Sequence, residues 1–228
     1  LDGITHACQL TLKAGMGGVK NEWNIWVYPQ QTEKQTNFVY TRKWNEETLK
    51  MLEDGNNVLL IPEKCEGRKT HFASHFWNPI MFIPMIVGTL INAQHPVFRC
   101  FPTKSYADWQ WWDILNHATA MDLTALNNIT PIIQSIDSYE TNQKLGIAFE
   151  ARVRKGKLFV LCVDPEKDID NRLATKQLIT SVEKYVASDR FDPRDTLQSY
   201  EIEALFPTIP ISTKQKGSQT AIQQLLNK

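Results

Sequence analysis

Residues 57–62 read Asn-Val-Leu-Leu-Ile-Pro, four consecutive apolar side chains closed by a proline. A strand with one wet face alternates apolar and polar residues. An unbroken apolar run instead needs cover on both faces, as in a sheet sandwiched between helices. Pro62 ends the run, since it has no N–H to give to a ladder. Just upstream, Asn45 can cap a helix whose first turn carries Glu46 and Glu47, well placed at the positive end of the helix dipole. Leu49, Met51 and Leu52 supply its apolar side, and Gly55 stands where a helix C-terminus is expected. Helix followed by buried strand is one αβ unit, and it limits the architectures open to the chain.

Later segments repeat the theme. Phe38-Val39-Tyr40 is a short strand candidate and 131–137 a longer one. Residues 145–153 and 157–163 read as two strands meeting at Lys155-Gly156, most simply an antiparallel hairpin. Residues 171–188 form the clearest helix: Leu173, Leu178, Ile179, Val182, Tyr185 and Val186 share a stripe, opposite Lys176, Gln177, Glu183 and Lys184. The expected fold class is α/β, a layered mixed sheet flanked by helices and preceded by a short β segment.

That β segment is residues 1–30. Positions 7–13 alternate, the glycines at 15, 17 and 18 interrupt, and 22–28 resume with Trp23, Ile25 and Val27 on one face. A two-stranded ribbon is marginal alone, so residues 1–30 are expected to belong to a β-domain lying mostly upstream, the chain being a piece of a longer polypeptide. Residues 31–207 form the α/β domain. Residues 208–228 are a polar tail in which Ile222, Leu225 and Leu226 could dock one helical turn.

Charge narrows the partners. Twenty-five basic and 25 acidic residues cancel, and neither half of the chain is polarised. Binding driven by phosphate neutralisation is therefore not expected, nor attraction to an anionic membrane. The longest apolar run, 80–91, contains Pro84 and Gly88 and falls short of the roughly 20 residues a spanning helix needs. Cys8, Cys65, Cys100 and Cys162 are too few and too scattered for a disulfide scaffold, and read as free thiols.

Motifs for chemistry are sparse. No G-x-S-x-G elbow, P-loop or G-x-G-x-x-G is present. Cys65 follows the buried strand, but Glu63-Lys64-Cys65-Glu66-Gly67 lacks the small residue that lets a nucleophile turn close; a thiol hydrolase using Cys65 is the alternative enzymatic reading. His71 and His75 lack the H-E-x-x-H frame and a third ligand, so no metal or cofactor is expected. The densest feature is Phe101 to Asp113, with three tryptophans in four residues. Indole faces beside carboxylates can stack on a sugar, and tryptophans also build cores. Trp109, beside Asp108 and Gln110, is the better candidate for exposure.

Residues 21–29 (Asn-Glu-Trp-Asn-Ile-Trp-Val-Tyr-Pro), 76–79 (Phe-Trp-Asn-Pro), 101–103 (Phe-Pro-Thr) and 108–113 (Asp-Trp-Gln-Trp-Trp-Asp) together resemble the C-terminal region of bacterial family 2 glycoside hydrolases, the β-galactosidase-like, sugar-binding-domain proteins. Matches at 131–137, 144–151, 156–158 and 185–189 extend the resemblance over most of the chain. It implies a flavodoxin-like layer similar to class I glutamine amidotransferases, without their nucleophile, and an export route to the periplasm or beyond. The catalytic carboxylates of such hydrolases belong to an upstream barrel, so the resemblance implies no catalytic residue here. It implies instead a non-catalytic accessory domain, with a carbohydrate-binding module as the alternative. Trp77, Asn78, Asp108, Trp109, Trp111 and Asp113 are the candidate carbohydrate or interface residues. The candidate partners are the parent's upstream domains, carbohydrate and a second copy of the chain.

Overall fold

The computed structural model describes residues 3–30, 35–72 and 86–206. The chain opens with two antiparallel strands, β1 (Cys8–Met16) and β2 (Val19–Val27). There follow β3 (Val39–Thr41), α1 (Glu46–Glu53), β4 (Asn57–Leu60), β5 (Arg68–Lys69) and β6 (Gly88–Ile91). A 3₁₀ turn at Pro96–Cys100 and a second at Trp109–Trp111 lead into α2 (Trp112–Asn116). The remainder is β7 (Thr119–Asp122), β8 (Ile133–Ile136), β9 (Lys144–Val153), β10 (Gly156–Leu161), α3 (Leu173–Val186), β11 (Thr196–Leu197) and α4 (Ser199–Glu203).

The main sheet has the order β3-β4-β10-β9-β7-β5, with β8 and β11 also on β9 and β6 on β8. β3, β4 and β10 run parallel, and β9 is antiparallel to β10, β7 and β8. The fold is mixed α/β. Alternation along the strands sends side chains to opposite faces. Leu59, Phe159 and Leu161 join Leu178, Val182 and Val186 of α3 in one cluster. Val58, Leu60, Leu158 and Val160 join Leu52 of α1 and Ile202 of α4 in the other. Helices therefore cover both faces, which is why residues 58–61 carry no polar side chain.

α1 begins where expected: Asn45 accepts from the Thr48 N–H at 2.9 Å, and Gly55 follows the helix at φ +87°. α3 departs from its expected stripe, since Leu173 is exposed and Gln177 buried. This face packs on the first 3₁₀ turn through polar contacts. Gln177 donates to the Cys100 carbonyl at 2.6 Å, and Ser181 to that of Val97 at 2.5 Å.

Two turns also differ. β1 continues through Gly15, and the reversal falls on Gly17-Gly18, both at positive φ, where glycine has no Cβ to clash. In the β9–β10 hairpin Arg154 takes the positive φ, +56°, while Gly156 is already paired with Val153. The ribbon touches the body through Tyr28, whose ring lies parallel to Phe101 at 6.3 Å and whose hydroxyl donates to Gln110 at 2.9 Å. No described helix is long and apolar enough to cross a membrane. The expected tail, 208–228, lies outside the described residues.

Candidate functional site

In α/β sheets ligands gather beyond the carboxyl ends of the parallel strands. Here β3 runs into Arg42, β4 into Pro62 and Glu63, and β10 into Cys162, Val163 and Asp164, all of which line one hollow of about 220 Å3. Cys65, Lys69 and His117 complete its wall. Lys69 donates to the Thr119 hydroxyl at 3.0 Å. Asp164 is held below the usual carboxylate range: partial burial opposes its charge, but the Glu166 and Lys167 backbone N–H groups outweigh it, helped by Arg172 and His117. Burial pushes the Cys162 thiol well up, and its contact with Cys65 adds to the effect, against a smaller opposing pull from Lys69.

The hollow has the position of an active site but not the turn. β4 is followed by strand β5 rather than by a helix. Among the described residues the non-glycine positive φ angles fall on Asn142, Arg154 and Asp168, not on Cys65. His117, the histidine on the wall of the hollow, turns Nδ1 toward the Asp113 carbonyl at 3.0 Å. A nucleophile elbow needs a strained strand-to-helix turn, with a base within reach of its nucleophile.

The tryptophan segment divides by side. Asp108 caps the second 3₁₀ turn by accepting from the Gln110 N–H at 3.1 Å. Trp109 is 76% exposed and Trp112 52%, while Trp111 is wholly buried. Trp109 lies against Phe72 with ring centroids 5.2 Å apart. Trp111 packs edge-on to Phe101 at 5.4 Å, and its indole N–H reaches Thr103 at 2.8 Å. Asp113 also turns inward. It accepts from Arg172 at 2.6 Å and from the Thr175 hydroxyl at 2.8 Å, tying α2 to the start of α3. The four described candidates thus do not share one exposed surface. Trp109, next to the capping Asp108, faces water; Trp111 and Asp113 serve the interior; Trp77 and Asn78, like His75, lie outside the described residues. Helical geometry explains the split, because successive residues of a 3₁₀ or α turn point in different directions.

A third locus was not anticipated. A cavity of about 550 Å3 is bordered by His95, Glu150, Tyr185 and Arg190. Tyr185 donates to one Glu150 oxygen at 2.9 Å, and His95 Nε2 stands 3.5 Å from the other. Burial, then the Glu150 charge, raises the Tyr185 hydroxyl far above its ordinary value. The available signal was Glu150 itself, an acid set among Leu145, Ile147, Phe149, Ala151 and Val153.

Residues 39–207 match the family described as Domain of unknown function (DUF8487). No curated protein matches the chain.

Proposed function

The chain belongs to the DUF8487 family, and on that premise we propose that it is a non-catalytic accessory domain of a carbohydrate-degrading hydrolase, packed against the parent's other domains beside the substrate cleft. The observation that carries the reading is the end of β4. A catalytic amidotransferase-like layer would carry its nucleophile on a sharp strand-to-helix turn, and this chain presents Ile61-Pro62-Glu63 leading into a strand. The resemblance to family 2 glycoside hydrolases supplies the context, and with it a place in the periplasm or outside the cell. Fold likeness carries no activity by itself, so the test is direct. The purified chain should hydrolyse neither aryl glycosides nor thiol-hydrolase ester and amide substrates. Turnover lost in Cys65→Ala would overturn the reading in favour of the thiol enzyme.

The exposure of Trp109 favours a second role, contact with the polysaccharide. An indole face stacked on a sugar ring, with the Asp108 carboxylate beside it, suits weak binding. Calorimetry against an oligosaccharide panel should then give heats that vanish in Trp109→Ala without loss of thermal stability. Heats no larger than dilution for the unmodified chain would remove this role and leave the packing role standing.

A further inference from the structure

Cys65 and Cys162 meet in the strand-end hollow although 97 positions separate them (162 minus 65). Cys65 is half-buried, Cys162 is 3% exposed, and they belong to the same apolar cluster. Both line the same hollow of about 220 Å3. Their backbones differ in restraint. Cys162 follows β10 and is fixed on both sides, its N–H donating to Ile147 at 2.9 Å and its carbonyl accepting from Thr119 at 3.0 Å. Cys65 lies in the loop between β4 and β5, where its own thiol makes a long 3.9 Å contact to the Glu66 carbonyl. Just beyond it, Gly67 at φ +154° passes so near Ala120 that a Cβ there would stand 2.1 Å from the carbonyl oxygen. The loop is thereby held against the sheet, with Cys65 on the wall of the hollow that Cys162 also lines. Arg42 and Lys69 border the same hollow together with Glu63, Asp164 and Glu166, so its lining is mixed in charge, and Arg42 pairs with Glu166 at 3.6 Å.

We propose that Cys65 and Cys162 are a dithiol site for exchange with small organic disulfides, closing to an internal disulfide that links the β4–β5 loop to the end of β10. The accessible thiol acts first. The Cys65 thiolate attacks one sulfur of a disulfide such as glutathione disulfide, forming a mixed disulfide and expelling one glutathione thiolate. Cys162 then loses its proton to solvent, and its thiolate attacks the Cys65 sulfur. The mixed bond breaks, the second glutathione thiolate leaves, and two protein thiols have been oxidised as one external disulfide is reduced to two thiols. Cys162 is too buried to begin the sequence but adjacent enough to finish it. The site requires no hydrolytic chemistry and is independent of the accessory-domain reading.

The experiment incubates the full chain with glutathione disulfide, quenches in acid, denatures and alkylates, and maps peptides by mass. Two of the four cysteines should resist alkylation, joined as a Cys65–Cys162 peptide. Cys162→Ala should instead retain glutathione on Cys65. In Cys65→Ser, a substitution at a half-buried position, Cys162 should become alkylatable by roughly tenfold more than in the oxidised parent. Full alkylation of all four cysteines in the treated chain would overturn the proposal. So would linkage through Cys8 or Cys100, glutathione persisting on Cys65 beside an intact Cys162, or Cys162 still protected in Cys65→Ser.

Discussion

At the scale of single residues, Asp137 shows how a buried carboxylate is held by several donors at once. Asp137 follows β8 with its side chain 1% exposed. Its carboxylate accepts from Ser138 N–H and Thr141 Oγ1, each at 2.7 Å, from Gln143 N–H at 2.9 Å, and from Arg68 of β5. One acid thus fastens the 137–143 turn and draws β5 toward it. Removing one member of a buried ion pair strands the other and opens several hydrogen bonds at once. Asp137→Ala should therefore lower stability by about 3 kcal/mol in urea unfolding, near the low end for such pairs because Arg68 retains some solvent. A loss below about 1 kcal/mol would mean that water replaces the carboxylate freely.

At the scale of elements, α1 and β10 approach more closely than side chains allow. A Cβ on Gly156 would stand 2.6 Å from the Asn56 carbonyl oxygen and 2.9 Å from the Leu52 Cα, both backbone atoms that cannot swing aside. Gly156→Ala should cost about 1–3 kcal/mol by overpacking, visible as a lower denaturation midpoint with an unchanged m-value. The sequence marked Gly156 as part of a hairpin turn; the structure gives the turn to Arg154, which closes an ion pair with Glu53 of α1. The contrast shows what was legible. α1, β4, β9, β10 and α3 announced themselves through caps and apolar periodicity, which are local properties. Gly156, the Asp137 clasp, the inward turn of Trp111 and Asp113, and the meeting of Cys65 with Cys162 depend on which strands become neighbours. Asp113 and Arg172, 59 positions apart, or Cys65 and Cys162, 97 apart, carry no local mark of one another. Gln177 illustrates the same limit: a polar side chain on an amphipathic helix reads as solvent-facing until the carbonyl of Cys100 arrives to receive it.

At the scale of the whole molecule, three weak acids are kept neutral by the fold. Burial raises Cys162 from its ordinary 9.0 and both Tyr28 and Tyr185 from 10.0. A raised folded value means that the folded state retains protons the unfolded chain releases. The associated stability is complete below pH 9 and is lost as pH rises through the ordinary value of each group toward its folded one. In reducing buffer, urea midpoints should hold steady from pH 7 to about 8.5 and decline beyond it. Cys162→Ala should delay the decline to the tyrosine range; an identical profile in both proteins would show that the thiol does not contribute. The sheet's borders have a further consequence for behaviour at high concentration. β3 spans three residues and runs into Arg42-Lys43, and β5 consists of just the two cations Arg68-Lys69. Edges so short and so charged make poor templates for a foreign strand. The β1–β2 ribbon is the opposite case, with nine paired positions and Leu12, Met16, Val19, Trp23 and Ile25 open to water. Among the described residues, a tendency to aggregate by strand addition would therefore reside first in this ribbon.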